Sequence, residues 1–357
     1  MASLSLRRRI ALELDRKLRH DTIGRHELRT LFWECTQRCN LNCRHCGSDC
    51  KINATTPDMP AAHFLKVVDR ILPKVNPHKL NIVITGGEPL MRTDLESVGL
   101  ELYRRELPWG IVSNGLGLNV RRFESLLKAG LHNLTISLDG LENDHNWMRG
   151  NAASFSKALA AIKLAASTSS LNFDVVTCVN KRSLPTLPQI ASLLETAGVK
   201  RWRLFTIFPS GRARQYPDFA LSQEEFITLM EFIRNKRRAG GILPSYCCEG
   251  FLGDYEGDVR DNFYRCNAGI SIASVLIDGS ISACPSIRAD YHQGNIYTDD
   301  FWDVWQNRFQ LYRDRRWMRT GICADCSMFR YCEGNGFHLR EADGSLKHCY
   351  YHSALRK

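Results

Sequence analysis

The chain has 357 residues, of which 44% are hydrophobic and 24% charged, with a net charge of +10; that is enough for one large α/β domain plus a small appendage, since domains cluster near ~100–200 residues. No apolar run approaches the ~18 residues of a membrane span, and in the opening MASLSLRRRIALELDRKLRH charges interrupt every apolar run before a signal-peptide core of ~7–15 residues forms, so a cytoplasmic protein with no membrane partner is expected. Basic residues are scattered (Arg7 to Arg9, Lys236 to Arg238, Arg313 to Arg319) rather than gathered as a phosphate-binding stripe, so nucleic acid is not the expected partner; a solvated basic face or an acidic substrate explains them as well.

From residue 28 to 210, short β-rich runs alternate with amphipathic helical stretches. Strands are predicted at RTLFWECT (29–36), LNIVITGG (80–87), WGIVSNG (109–115), NLTISLDG (133–140), NFDVVTCVN (172–180) and RWRLFTIFP (201–209), most of them continuously apolar, as in a sheet covered on both faces. Helical spacing recurs at 60–74, where Phe64, Val67, Val68, Ile71 and Leu72 share a face, and at 121–130, 154–167 and 186–196. Six strands each followed by a helix predict an α/β fold of partial (β/α)6 TIM-like barrel type, with its chemistry at the C-terminal strand ends. Residues 1–27 form an N-terminal extension. A helical linker at 211–244 contains a helix over 223–239 that opens with Ser222 and Glu225 in capping-box spacing. From 245 to 357 there are eight cysteines, little periodicity and many turns, the mark of a small domain held by metal rather than by a large core.

Fourteen cysteines in a chain without a signal peptide read as metal ligands or reactive groups rather than disulfides. CNLNCRHC places Cys39, Cys43 and Cys46 together directly after the first predicted strand. Three thiolates make a poor closed zinc site, which wants four ligands, unless Cys35 or Cys50 is borrowed. They suit a four-iron cluster with one iron left for an outside ligand. This CxxxCxxC pattern, with His45 before its last cysteine, resembles the radical S-adenosylmethionine (SAM) superfamily. That resemblance implies a [4Fe–4S] cluster on Cys39, Cys43 and Cys46, SAM chelated to the open iron, and one-electron cleavage to a 5′-deoxyadenosyl radical. TGGEP at the second strand end resembles the family segment that receives the methionine amino group, which makes Gly86, Gly87, Glu88 and Pro89 cofactor-binding candidates; the glycines let backbone approach a ligand closely. Ser137 and Asp139 end the fourth strand, and Arg149 follows in HNWMRG. The resemblance implies that Ser137 and Arg149 bind the methionine carboxylate or ribose, a role suited to a guanidinium fork. Asn114 near the third strand end is a further candidate, with a plain turn asparagine before Gly115 as its alternative.

The later cysteines have their own spacing: Cys266, twelve residues, Gly279, four residues, Cys284; then Cys323, Cys326 and Cys332, and Cys349. This resembles the SPASM domain of radical enzymes, which carries one or two auxiliary iron–sulfur clusters. The resemblance implies an outer cluster on Cys323, Cys326, Cys332 and Cys349 and an inner one on Cys266 and Cys284, with Cys247 or Cys248 as a third ligand. Gly336 stands where the family pattern has a cysteine. The inner site is therefore left with an open iron, with both adjacent cysteines or His338 as substitutes, or without a cluster. A zinc ribbon on the last four cysteines is the plainer alternative. Cys178 is expected to pack within its strand.

The function implied is modification of a ribosomally made peptide or protein, with electrons from a donor such as flavodoxin or ferredoxin. FWECTQRCNLNCRHCGSDCK and YCCEGFLGDYEGDV look most like the Bacteroidetes-type radical enzymes encoded beside small lipoproteins. Sulfatase-type maturation is disfavoured, because Pro285 stands where those relatives have aspartate beside the cysteine matched by Cys284. Two other classes stay open: a superfamily enzyme of small-molecule cofactor biosynthesis, and a zinc-dependent nucleic-acid binder.

Overall fold

The computed structural model describes residues 4–247 and 250–355. The first element, α1 (Leu6–Arg25), is capped by the Ser5 side chain, which accepts the Arg8 N–H, and ends where His26 turns to φ 49°. Strands and helices then alternate: β1 (Thr30–Thr36), α2 (Ala61–Ile71), β2 (Asn81–Gly86), α3 (Leu95–Arg104), β3 (Trp109–Ser113), α4 (Val120–Lys128), β4 (Leu131–Ser137), α5 (Glu142–Arg149), α6 (Ser154–Ala166), β5 (Asn172–Val179), α7 (Leu187–Thr196) and β6 (Arg201–Thr206). All six predicted strands are present. The expected capping box opens α8 (Gln223–Ala239): Ser222 Oγ accepts from Glu225 N–H at 3.2 Å, and the Glu225 carboxylate accepts from Ser222 N–H at 2.7 Å. After β7 (Leu243–Tyr246) come β8 (Ile272–Val275), β9 (Ser280–Ser282), β10 (Gly294–Asn295) and three short helices, α9 (Phe301–Asn307), α10 (Gln310–Arg313) and α11 (Phe329–Cys332).

Among the described residues these strands form one ten-stranded sheet, in the order β10-β9-β8-β1-β2-β3-β4-β5-β6-β7. From β8 through β1 to β7 every neighbour is parallel; β8, β9 and β10 pair antiparallel. The six-stranded arc is thus extended on one edge by β7 and on the other by the cysteine-rich region, whose β8 runs beside β1 from Thr30 opposite Ile272 to Trp33 opposite Val275. The sheet continues past the boundaries expected at 210 and 244.

Helices cover the outer face. Trp33 of β1 stacks on Phe64 of α2 with ring centroids 4.6 Å apart, and Ile82, Ile84, Ile136 and Leu204 are fully buried. The lumen face differs from the continuously apolar strands predicted. At its floor the side chain of Asn133 donates to Asn81 at 2.8 Å, Asn172 donates to Asn133 at 2.7 Å, and Arg201 donates to Asn172 at 3.0 Å. Gly110 of β3 leaves room for this ladder; a Cβ there would meet Asn133 O at 2.3 Å. An arc that does not close leaves its lumen partly wetted, so its strands alternate apolar out and polar in. No described helix is long and apolar enough to cross a membrane.

Candidate active site and metal centres

The β1 strand delivers the chain into the loop that carries Cys39, Cys43 and Cys46. Cys39 and Cys43 are buried and Cys46 half-buried, and the three pack together with Cys50 and Leu41. Burial raises Cys39 to about 12 and raises Cys43 as well, whereas a hydrogen bond from Cys50 lowers Cys46. Cys50 therefore lies beside the trio, while Cys35 is fully buried within β1, away from it, with its thiol raised by burial.

Four neighbouring segments fix this loop. Gly87 N–H donates to Thr36 O at 2.7 Å and Glu88 N–H to Arg38 O at 2.9 Å. Cβ atoms at Gly86, where φ is +134°, and at Gly87 would lie 2.2 Å from Thr36 O and Arg38 O respectively. Glycine is thus required here first by the cysteine loop itself. Pro89 begins the 3-10 turn that follows. Glu88 is buried, and its carboxylate accepts from Ser113 Oγ at 2.9 Å and from Asn114 N–H at 2.8 Å, binding β2 to β3; burial raises its pKa. Asn114 extends the chain of contacts, donating to Asn40 Oδ1 at 2.8 Å. From the loop after β6, Arg212 donates to Cys43 O at 2.8 Å and to Cys50 O at 3.0 Å and pairs with Asp49 at 2.7 Å. Gly211 beside it lies so close that a Cβ would meet Cys46 O at 2.5 Å. From the cysteine-rich region, Arg288 reaches back to the buried Glu34 of β1 at 3.1 Å and donates to Ser48 Oγ. Neither Arg212 nor Arg288 was a predicted site residue.

Across the lumen, α5 brings Arg149 to Asp139 and Cys43. Arg149 Nε lies 2.7 Å from Asp139 Oδ2, and its Nη1 is 3.6 Å from Cys43 Sγ. Burial would raise Asp139, but Arg149 and His45 outweigh it and hold the carboxyl at about 2; burial brings His45 down to about 4. The 2.7 Å contact is misaligned, so Arg149 Nε and Asp139 Oδ2 are buried without a hydrogen-bond partner, as is His45 Nδ1. Cys178 packs from β5 against the cluster of Met148, Ile207 and Phe219; its sulfur also lies within 4.8 Å of ligand atoms of His45 and Asp139, and its N–H donates to Asp139 Oδ1. Ser137 ends β4 half-buried, two residues before Asp139. Three clustered thiols beside orphaned charged and polar atoms fit a cofactor with both iron-binding and charged groups.

In the second region, Cys323, Cys326, Cys332 and Cys349 line one cavity with Phe251, Met328 and Phe329. Burial and the neighbouring thiols raise Cys332 to about 12 and Cys349 to about 11. Burial raises Cys284 to about 11, and Cys266 lies near enough to add to that shift. Cys247 follows β7 and donates its N–H to Leu204 O at 3.0 Å. Arg260 lies 5.6 Å from the rings of both Tyr246 and Tyr264, bridging the segments of Cys247 and Cys266. Cys248 lies outside the described residues. Gly336 has φ −73° and ψ 139°, open to any residue, and the His338 ring lies 5.0 Å from that of Phe208 in the loop after β6.

Family models match the chain in two places: the radical SAM superfamily over residues 33–194 and the SPASM iron–sulfur cluster-binding domain over 266–327. The chain is 24% identical to an AdoMet-dependent heme synthase of Oleidesulfovibrio alaskensis, over 89% of this chain and 87% of that one. It is 24% identical to the mycofactocin maturase MftC of Mycobacterium tuberculosis, over 85% and 77%. Its fold is shared with Streptococcus suis SuiB bound to the precursor peptide SuiA: TM-score 0.69 at 16% identity, covering 90% of this chain and 76% of that one. The chain is thus a radical SAM enzyme with a SPASM domain, whose cofactors are a [4Fe–4S] cluster, SAM and auxiliary iron–sulfur clusters.

Proposed function

We propose that this enzyme modifies a ribosomally made peptide or protein, with Cys39, Cys43 and Cys46 holding the cluster that receives SAM. When bound, the cluster and SAM supply one-electron cleavage to a 5′-deoxyadenosyl radical that takes hydrogen from substrate. The chain's own residues do the rest: Gly86 and Gly87 admit the cysteine loop, Glu88 and Asn114 fix its height, Asp139 and Arg149 offer paired charge to the amino-acid and ribose end of SAM, and the barrel positions substrate beside them. Cys323, Cys326, Cys332 and Cys349 would hold the outer auxiliary cluster, and Cys266, Cys284 and a cysteine at 247 or 248 the inner one.

The observation that carries the peptide reading is the state of the cations around the open end of the barrel. Arg38 pairs with Asp58, Arg182 with Asp144, Arg212 with Asp49, Arg214 with Glu341 and Arg288 with Glu34, while Arg44 donates to Trp147 O. A porphyrin would bring several carboxylates and needs unengaged cations to receive them; a peptide does not. SuiB, which shares the fold, is bound to a precursor peptide. The small-molecule reading is favoured by one specific observation, the likeness to heme synthases.

The test is anaerobic reconstitution with iron and sulfide, dithionite standing in for a flavodoxin or ferredoxin donor, and SAM. One arm contains a candidate short precursor peptide, the other Fe-coproporphyrin III, the compound in the name of another relative's synthase. The expected result is a mass change in the peptide together with 5′-deoxyadenosine. Conversion of the porphyrin with an unchanged peptide would overturn the reading.

A further inference from the structure

Arg340 is 1% exposed, yet among the described residues no carboxylate pairs with it. Its Nε donates to Gly334 O at 3.1 Å; Nη1 donates to Gly344 O at 2.6 Å; Nη2 donates to Gly334 O at 2.7 Å, to Met318 O at 3.3 Å and to Cys323 Sγ at 3.5 Å. The neighbouring Glu341 is engaged elsewhere, with Arg214 and Lys347. A buried guanidinium surrounded by carbonyl oxygens has its hydrogen bonds satisfied but its charge unanswered, a costly state unless an anion stands beside it. Among the described residues, the one group its fork reaches that can become an anion is the Cys323 thiol.

The contacts also have a geometric logic. Met318 precedes Cys323 and Cys326, Gly334 follows Cys332, and Gly344 precedes Cys349, so one side chain ties together the three segments that carry the four cysteines. Gly334, at φ +84°, makes room for it: a Cβ there would lie 3.0 Å from Arg340 Nη2 and 2.5 Å from Met318 Cβ. We infer that Arg340 is the fixed counter-charge of the outer auxiliary centre, a positioning residue that gathers its ligand segments and raises its reduction potential through Cys323. This rests on the reading that Cys323, Cys326, Cys332 and Cys349 hold a cluster. Such a cluster carries net negative charge and gains one more unit on reduction, so an adjacent cation favours the reduced form, and hydrogen bonds to the sulfurs act in the same direction.

The experiment is a potentiometric titration of the reconstituted holoenzyme, followed by electron paramagnetic resonance, for the wild type, Cys332→Ala, Arg340→Gln and Arg340→Lys. Cys332→Ala should remove one signal and so identify the outer cluster. At the wild-type midpoint, Arg340→Gln should lower the reduced-to-oxidised ratio of that signal about tenfold, a shift of about 59 mV to more negative potential for one electron, and leave the signal of the Cys39, Cys43 and Cys46 cluster in place. Arg340→Lys should hold the wild-type potential while losing thermal stability, because charge is kept and the fork is not. If Cys332→Ala removes no signal, the ligand set fails and the inference with it. If it removes one and Arg340→Gln leaves that potential unchanged, only the counter-charge role falls. Should Arg340→Gln not fold, Arg340→Lys decides alone: an unchanged potential supports the role, and a tenfold shift overturns it.

Discussion

The loop of Cys39, Cys43 and Cys46 and the region of the last four cysteines both bury thiols among arginines, but they balance charge differently. Around the first, Arg38, Arg149, Arg212 and Arg288 each face a carboxylate. In the second, the buried Arg313, Arg315 and Arg340 face backbone carbonyls with no carboxylate among the described residues, and burial brings Arg313 down to about 10. The first loop stands on a sheet, and these four guanidinium charges are already answered by protein carboxylates. The second has helices of seven residues or fewer and leaves positive charge for a bound anion to answer. The contrast separates a scaffold that waits for its cluster from one that is completed by it.

Removing iron with a chelator should have the largest effect. We predict that hydrogen exchange accelerates throughout residues 315–350 while amides of β1 to β6 stay protected; equal loss in both regions would break the comparison. Replacing Cys39, Cys43 and Cys46 together by alanine should abolish 5′-deoxyadenosine formation in dithionite, yet leave the auxiliary iron and the thermal midpoint close to wild type. Residual cleavage of SAM by that variant would remove the assignment of the trio.

Arg149→Ala sharpens the contrast, because it leaves Asp139 buried without its guanidinium partner. Losing one member of a buried ion pair costs about 3–5 kcal/mol, readable by chemical denaturation; a loss below about 1 kcal/mol would show that the pair is not what balances the site. His145 should give a smaller effect. Fully buried, it accepts from Asp139 N–H at 3.0 Å and lies 3.0 Å from Ser154 Oγ, and burial lowers it to about 3. Unfolding lets it take up a proton below about 6.5, so its contribution is complete above that pH and shrinks as pH falls towards 3. From pH 7 to 5 it should cost the wild type about 2 kcal/mol that His145→Gln does not lose. Parallel stability curves for the two proteins would refute this. Least of all should Gly336→Cys disturb the fold, since φ −73° suits any residue. It should keep iron and uncoupled SAM cleavage but lose substrate modification by closing the inner site; normal modification with a four-thiolate inner cluster would show that the missing ligand has no role.

What could be read from the chain followed from local spacing. The strands came from apolar runs, the trio from its three thiols, and a close backbone approach at Gly86 and Gly87 from a glycine pair at a strand end, although that approach was expected towards a ligand and the structure also shows it towards the cysteine loop. Helix α1 escaped because Leu6, Ile10, Leu14 and Leu18 are exposed, so its apolar repeat does not mark a buried face. Cys178 packs from its strand as expected, and alternation from the lumen-facing Asp174 also puts it on the side of β5 where His45 and Asp139 lie. Arg212, Arg288 and Arg340 were invisible for another reason: much of what they hold is backbone oxygen or a distant side chain, and such partners leave no residue pattern to find.

The pairing of β8 with β1 also bears on cutting the molecule apart. A fragment ending near residue 244 would keep all six barrel strands yet strip the neighbour from Thr30 to Trp33, leaving a row of unpaired amides and carbonyls on an apolar strand directly before the cysteine loop. Such an edge recruits other chains. A soluble half-enzyme would therefore need a replacement strand there, and any exchange of auxiliary domains between relatives would have to carry β8 and β9 across with the cysteines.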